Sequence, residues 1–520
     1  MKRKFLWLFL SCIMALTLVA WSCDGADGEQ EEEEEEEEPQ YGGTLRVAMG
    51  SDTNTLDPAY VTSSMDYAFG QATQENLIWR SHDGTLQPRL ATSWEPNEDA
   101  TVWTFELREG VTFHHGKVFN ADDVVFTINR LLDPVVGSVA AASLASITEV
   151  TKIDNYTVQF ETDSPNSFLP EAFCITQARI MPSDIDPDRF DNEEFGTGPF
   201  INTEYLPGER AVFERNPDYW MKDAEGNDLP YLDEVIFYYM TEPETRAEAI
   251  KNKSVDVYHE LDAISVDSVE ATAGVSVSEV ASGTYINFAM IVTEPPFDDK
   301  LVRQAVQAAT DRESILEVAL LGRGVVAHDI PIPPTDPHSA LFVESPAYDP
   351  DHARELLELA GYDDGIDLTL YTSTIGPGMV EAAVALKESA EPAGIRITIQ
   401  QEPEDVYWGS VWMVEPFTVV NWNGRPPDQA LSLRYLCGTA WNETYMCIPE
   451  MDDLIIRARG ETTLAERQVT YAEVQEYLID DASCIIAVFR PVFMGLLDNV
   501  RGVSAHPNNW LYLTEAWLAD

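Results

Sequence analysis

Hydrophobic positions recur along this 520-residue chain with two different periods. Alternation of apolar and polar residues, rich in Val, Ile, Tyr and Phe, predicts strands over 44–49, 102–107, 156–161, 235–240, 285–291, 367–371 and 396–400. Helical spacing carries its own punctuation. Asn120 offers an N-cap with Asp123 three residues later, ahead of Val124, Val125 and Ile128. Thr241 stands in the same relation to Glu244, before Ala247 and Ile250. Asp349 and Pro350 supply an N-cap and a first-turn proline, Leu356, Leu357 and Ala360 a stripe, and Gly361 a stop. Leu464, Tyr471, Val474 and Leu478 lie close to one face of a later helix. Strands and helices alternate without a fixed-period repeat, so the class is α/β, or mixed α+β. A chain of this length exceeds one hydrophobic core, and two or three domains are expected.

The amino-terminal pattern is of another kind. Lys2, Arg3 and Lys4 precede an apolar run over 5–21 that ends at Ser22 and Cys23, which reads as an export signal over 1–22 and not as a spanning helix. Cys23 would then be lipidated and tether the chain to a membrane outside the cytoplasm. Ala20 and Trp21 depart from the usual residues before such a cysteine, and a soluble secreted protein is the alternative. Lys2 in the first slot of a twin-arginine-like pattern leaves the export route open. Residues 23–40, with an unbroken glutamate run over 31–38, cannot bury apolar surface and are expected to form an extended acidic tether. Calcium binding there would need oxygens fixed in a cage, and nothing in the run supplies one.

Charge then narrows the function. Asp and Glu total 90 against 32 Lys and Arg, a formal net charge of −58. Such a surface excludes nucleic acid, which demands a basic face. It also repels itself unless screened, and at molar salt the Debye length falls to about 3 Å, so a saline habitat is expected. After the signal no apolar stretch has spanning length. Cys437 and Cys447 flank a loop-like stretch and, in an oxidising compartment, are expected to form a disulfide. Cys174 and Cys484 sit among apolar residues and read as buried thiols.

Catalytic signatures do not emerge. The chain has no H-E-x-x-H, G-x-S-x-G, P-loop or dinucleotide fingerprint, and no C-x-x-C. His114 and His115 are adjacent on a strand-like segment, would face opposite ways, and are expected to share no metal. No cofactor is expected. What stands out is the stretch Trp422-Asn-Gly-Arg-Pro-Pro-Asp428 after a strand-like run over 417–421. Loops at strand ends carry ligand contacts in open α/β sheets, and Arg425 offers a planar fork for carboxylate or phosphate. The competing reading pairs Arg425 with Asp428 on the surface.

Several segments recur in a fixed order: Thr55-Leu-Asp-Pro58, Leu86-Gln-Pro-Arg-Leu-Ala-Thr-Ser-Trp94, Phe119-Asn-Ala-Asp-Asp-Val-Val-Phe126, Gly196-Thr-Gly-Pro-Phe200, Arg215-Asn-Pro-Asp-Tyr-Trp220 and Tyr231-Leu-Asp-Glu-Val235. By these, from residue 41 to the C-terminus, the chain resembles the large extracytoplasmic solute-binding proteins of ABC importers, the dipeptide/oligopeptide/nickel-binding group. The resemblance implies a periplasmic-binding-protein-like fold of two lobes, with an extra domain inserted in the first. Domain I would comprise 41–84, 198–282 and 486–520, the inserted domain II 85–197, and domain III 283–485. It also implies a monomer that captures a small solute between its lobes by hinge closure and delivers it to permease subunits, without covalent chemistry.

The same resemblance suggests site residues. Peptide-binding members carry an Asp where this chain has Arg425, and the loop over 372–378 lacks the Arg that receives a dipeptide carboxylate. An amine should not dock against a buried cation, so the ligand is expected to present an anionic or acceptor group to Arg425. That allows a peptide in another orientation, a modified peptide, or an oligosaccharide or other anionic solute. Trp422 would stack on the ligand and Asp428 would orient Arg425. Thr62, Ser63, Ser64 and Met65 match an early loop lining the cleft, and Tyr285 and Asn287 lie near the hinge strand. A ligand-sensing lipoprotein signalling to a membrane receptor would use the same closure, and a secreted hydrolase is the remaining alternative.

Overall fold

The computed structural model describes residues 38–520, apart from 54, 62, 139, 341, 375 and 440. The expectations for the export signal, Cys23 and most of the acidic tract, and for Thr62, fall outside the described residues. Among the described residues no helix is long and apolar enough to cross a membrane.

One mixed sheet runs through the body. Its order is Ile395–Gln401, Ile366–Thr372, Phe417–Trp422, Val275–Met290, Cys484–Leu497, Val257–Tyr258, Thr44–Met49, Glu234–Tyr239, Arg210–Arg215 and Phe200–Leu206, with Val325–Val326 paired on the side. Parallel pairing holds Thr44–Met49 between Glu234–Tyr239 and Val257–Tyr258. It also holds Ile366–Thr372 beside Ile395–Gln401. The predicted strands therefore exist, within two residues of their expected bounds except for the one predicted over 285–291, which begins ten residues earlier at Val275. The chain stretch 484–497 was not singled out, because a near-continuous apolar run carries no alternation to read.

Two long antiparallel strands, Val275–Met290 and Cys484–Leu497, join the two ends of this sheet. Each serves two hydrophobic cores. Val275, Phe493, Met494, Leu496 and Leu497 pack with Leu45, Val47 and Phe237. Ile286, Phe288, Met290, Ile485, Ala487 and Val488 pack with Val302, Leu370 and Leu386. Pairing between the strands is interrupted from Ala281 to Tyr285, where three residues stand opposite Arg490. A separate four-stranded sheet, Ala91–Pro96, Val102–Leu107, Thr157–Thr162 and Ile147–Lys152, carries a third core with Phe105, Phe113, Phe160 and Ile128.

Helix starts follow local chemistry. Asn120 caps Ala121–Leu132 through a capping box with Asp123. Asp349 caps Pro350–Leu359, and Thr463 caps Leu464–Asp481. Thr241 does not cap its helix. Pro243 takes the first helical position, and the extended Glu242 before it becomes the cap residue. His114 and His115 lie in a turn between bridged Thr112 and Val118, not on a strand. They serve different carboxylates, His114 Nδ1 at 2.9 Å from Glu194 and His115 Nε2 at 3.4 Å from Asp184.

Candidate ligand-binding cleft

A cavity of about 1050 Å³ opens at the interruption in the two long strands. Thr284, Arg490 and Pro491 line it from the strands themselves, Tyr67 and Asp262 from one side, and Gly424, Arg425 and Trp441 from the other. That volume suits a ligand of several residues' length.

The Arg425 loop is shaped by its neighbours. Phe417–Trp422 ends at Asn423, and Pro427 starts the helix Pro427–Tyr435. Gly424 packs against Gly283 in the strand interruption. A Cβ on Gly283 would stand 2.9 Å from the Gly424 Cα, so only glycine permits this approach. Arg425 leaves the backbone there and lies over the indoles of Trp441 and Trp422, at 5.3 and 6.0 Å from the ring centres. Its Nε is buried with no hydrogen-bond partner. Burial lowers its pKa, Tyr285 and Tyr67 oppose that, and nearby Arg434 adds to the lowering. Among the described residues no carboxylate acts on it.

Asp428 does not orient Arg425. It sits in the first turn of Pro427–Tyr435, receives Arg459 Nε at 3.0 Å and Ser432 Oγ at 3.2 Å, and faces the helix Pro449–Gly460. The surface pair between Arg425 and Asp428 is thereby excluded as well.

Trp422, Tyr285 and Asn287 are buried, Asn287 completely. They converge on an ion pair that the sequence reading missed, Arg434 with Glu443, both about 2 % exposed. Glu443 accepts from Arg434 Nη2, from Asn287 Nδ2 at 2.9 Å, from Trp412 Nε1 at 2.7 Å and from Trp422 Nε1 at 3.2 Å. Arg434 Nη1 donates to the Tyr285 hydroxyl at 2.5 Å, and its guanidinium lies 4.6 Å from the Trp422 ring centre. Trp422 thus backs the cleft, while Trp441 lines it.

Cys437 and Cys447 form the expected disulfide, and the loop they close carries both Trp441 and Glu443. Cys174 and Cys484 are buried free thiols, their pKa values raised chiefly by burial, that of Cys484 to about 11.

Ser63 caps the helix Ser64–Thr73 in a capping box with Asp66, and Met65 packs into the core around Leu45. Ser64 opens that helix. Tyr67, one turn on, lines the cavity.

Arg490 was also missed. It stands opposite the interrupted residues, where the Ser282 hydroxyl donates to its carbonyl at 2.5 Å, and Pro491 follows without an N–H. Its Nη1 lies 2.9 Å from the Asn421 side-chain oxygen, in the amide orientation that also lets Asn421 donate to the Tyr285 carbonyl. Burial lowers its pKa to about 10 against the pull of Glu260 and Asp262. A lone cation beside a proline in an apolar run was the signal that could have found it. Other arginines on the cavity wall have carboxylate partners: Arg80 with Asp336 at 2.9 Å, Arg246 with Asp262 at 3.3 Å, and Arg323 with Asp267 at 2.9 Å. Among the described residues no cluster of His, Cys, Asp or Glu could hold a metal ion.

Comparison with known proteins places this architecture. The chain is 25 % identical to a dipeptide-binding protein of Pseudomonas aeruginosa, over 87 % of this chain and 90 % of the relative. It is 25 % identical to the oligopeptide-binding protein AppA of Bacillus subtilis, over 99 % of each. Among solved structures, the ABC transporter-associated periplasmic binding protein DppA of Helicobacter pylori, in complex with the peptide STSA, shares the fold. The TM-score is 0.77 at 24 % identity, over 92 % of this chain and 99 % of that one. The two-lobed periplasmic-binding-protein fold is therefore the fold of this chain. The family model for the bacterial extracellular solute-binding proteins, family 5 (middle), matches residues 85–444, and the chain belongs to that family.

Proposed function

We propose that the protein is the extracytoplasmic solute-binding component of an ABC importer, anchored through Cys23, and that it captures a peptide or peptide-like solute presenting an anionic group to Arg425. The carrying observation is Arg425 itself. It lines the cavity, rests on Trp441 with Trp422 behind, and among the described residues has no carboxylate acting on it, in a chain of net charge −58. A partly buried guanidinium without a counterion is held at a cost, and a ligand carboxylate would remove that cost. The names of the relatives, binders of dipeptides and oligopeptides, support the solute class. Three of the hydrophobic cores follow, in outline, a domain division with 41–84, 198–282 and 486–520 as one lobe, 85–197 inserted, and 283–485 as the other. Closure would then bend the two long strands at their interruption.

Titration calorimetry with a library of di- to pentapeptides tests the reading. Wild type is expected to bind members of the library, and Arg425→Ala to weaken them by about tenfold or more. Unchanged affinity in Arg425→Ala would remove the residue from the site. Incorporation of labelled palmitate into wild type but not Cys23→Ala would support the anchor; labelling of both would refute it.

A further inference from the structure

Arg425 is not alone. Arg490 lines the same cavity, and its recorded polar side-chain contact is the neutral Asn421 amide. The nearest carboxylates are already engaged. Asp262 receives Arg246 at 3.3 Å and the Tyr258 hydroxyl at 2.6 Å, and Glu260 receives Asn509. Both attract Arg490 through space.

The two cations are fixed by one device and held by different partners. Gly283 holds the Gly424–Arg425 backbone at contact distance, and adjacent Ser282 holds the Arg490 carbonyl at 2.5 Å. From these anchor points Arg425 extends over Trp441, and Arg490 extends to Asn421. Their guanidiniums rest on different partners, Trp441 and Asn421, so each can take an anion of its own. In a protein this acidic, two such cleft arginines are a departure from the rule that Arg80, Arg246 and Arg323 obey.

We propose that Arg425 and Arg490 form a two-point anion site, and that the preferred ligand is a short peptide carrying two separate carboxylates, its terminus and an acidic side chain. This rests on the peptide reading above and narrows it.

Isosteric pairs test it: Ala-Glu against Ala-Gln, Glu-Ala against Gln-Ala, and Ala-Glu-Ala against Ala-Gln-Ala, titrated into the full chain in molar salt. Wild type should bind the Glu member of at least one pair about tenfold or more tighter than its Gln isostere. Arg490→Gln should bind both members of that pair alike, and Arg490→Lys should restore part of the preference. Equal binding of every pair by wild type overturns the two-point site and leaves the peptide reading intact. Retention of the full preference in Arg490→Gln overturns the assignment to Arg490. Binding of no peptide, with thermal unfolding intact, overturns the peptide reading and this inference with it.

Discussion

Arg434 and Arg425 are nine positions apart and share Trp422 as a neighbour, the first fully and the second partly buried, yet they are built in opposite ways. Arg434 has its counterion supplied by the chain: Glu443 faces it, and Asn287, Trp412 and Trp422 complete the carboxylate's hydrogen bonds. Arg425 has aromatic support and no such carboxylate. The first arrangement satisfies a charge internally and leaves nothing for a ligand. The second holds a charge in place and leaves its pairing to something outside the chain. Burial and aromatic contact, common to both, therefore do not identify a binding cation; the fate of its counterion does.

The sharpest way to break this contrast is to make Arg434 resemble Arg425. Glu443→Leu would leave Arg434 buried and unpaired, and is expected to destabilise the protein by about 3–5 kcal/mol in denaturant unfolding. Adding Arg434→Met should recover most of that loss, because a buried pair replaced by apolar groups is often neutral. If Glu443→Leu alone were harmless, the pair would not be the structural element described here.

Removing the staple is the next largest perturbation. The disulfide closes the loop that brings Glu443 to Arg434 and Trp441 to Arg425, so it serves both halves of the comparison. Cys437→Ser with Cys447→Ser should cost about 2–4 kcal/mol of stability. It should also weaken binding of the library peptides and reduce Trp fluorescence change on binding, as Trp441 loses its fixed place. Full affinity in the stable fraction of that variant would show that the loop does not shape the cleft.

The two regions also differ in how far the sequence revealed them. The disulfide was readable from two cysteines around a short polar loop, and Asn120 with Asp123 announced a capping box, because both signals are local. Arg425 was readable from a strand-ending loop with Gly and Pro. Glu443 was not, since a glutamate in a polar loop looks exposed until Arg434, Asn287, Trp412 and Trp422 arrive from separate elements. Tyr285, Asn287 and Trp422 were placed in the right neighbourhood, but on the scaffold side of it. Alternation along a strand cannot tell a side chain facing a ligand from one facing a buried ion pair.

His259 sharpens the comparison with a group that can discharge. Its ring is buried and both nitrogens lack hydrogen-bond partners, as Arg425 lacks a counterion. Arginine stays charged in proteins, so its unmatched charge persists until a ligand answers it. An imidazole instead gives up its proton, and burial lowers the His259 pKa from 6.5 to about 4. The unfolded chain therefore binds this proton at a higher pH than the folded one. Stability from this site is full above the unfolded pKa of 6.5, and declines as pH falls from there toward about 4. At about pH 5.5 the loss should be about 1.4 kcal/mol, and His259→Leu should remove this pH-dependent loss and flatten the slope of stability against pH. The Arg425→Met variant should show no such change in slope. A His259→Leu slope identical to wild type would mean that the folded imidazole takes up its proton at the same pH as in the unfolded chain, so that a partner in the fold offsets the cost of its burial, as Glu443 does for Arg434.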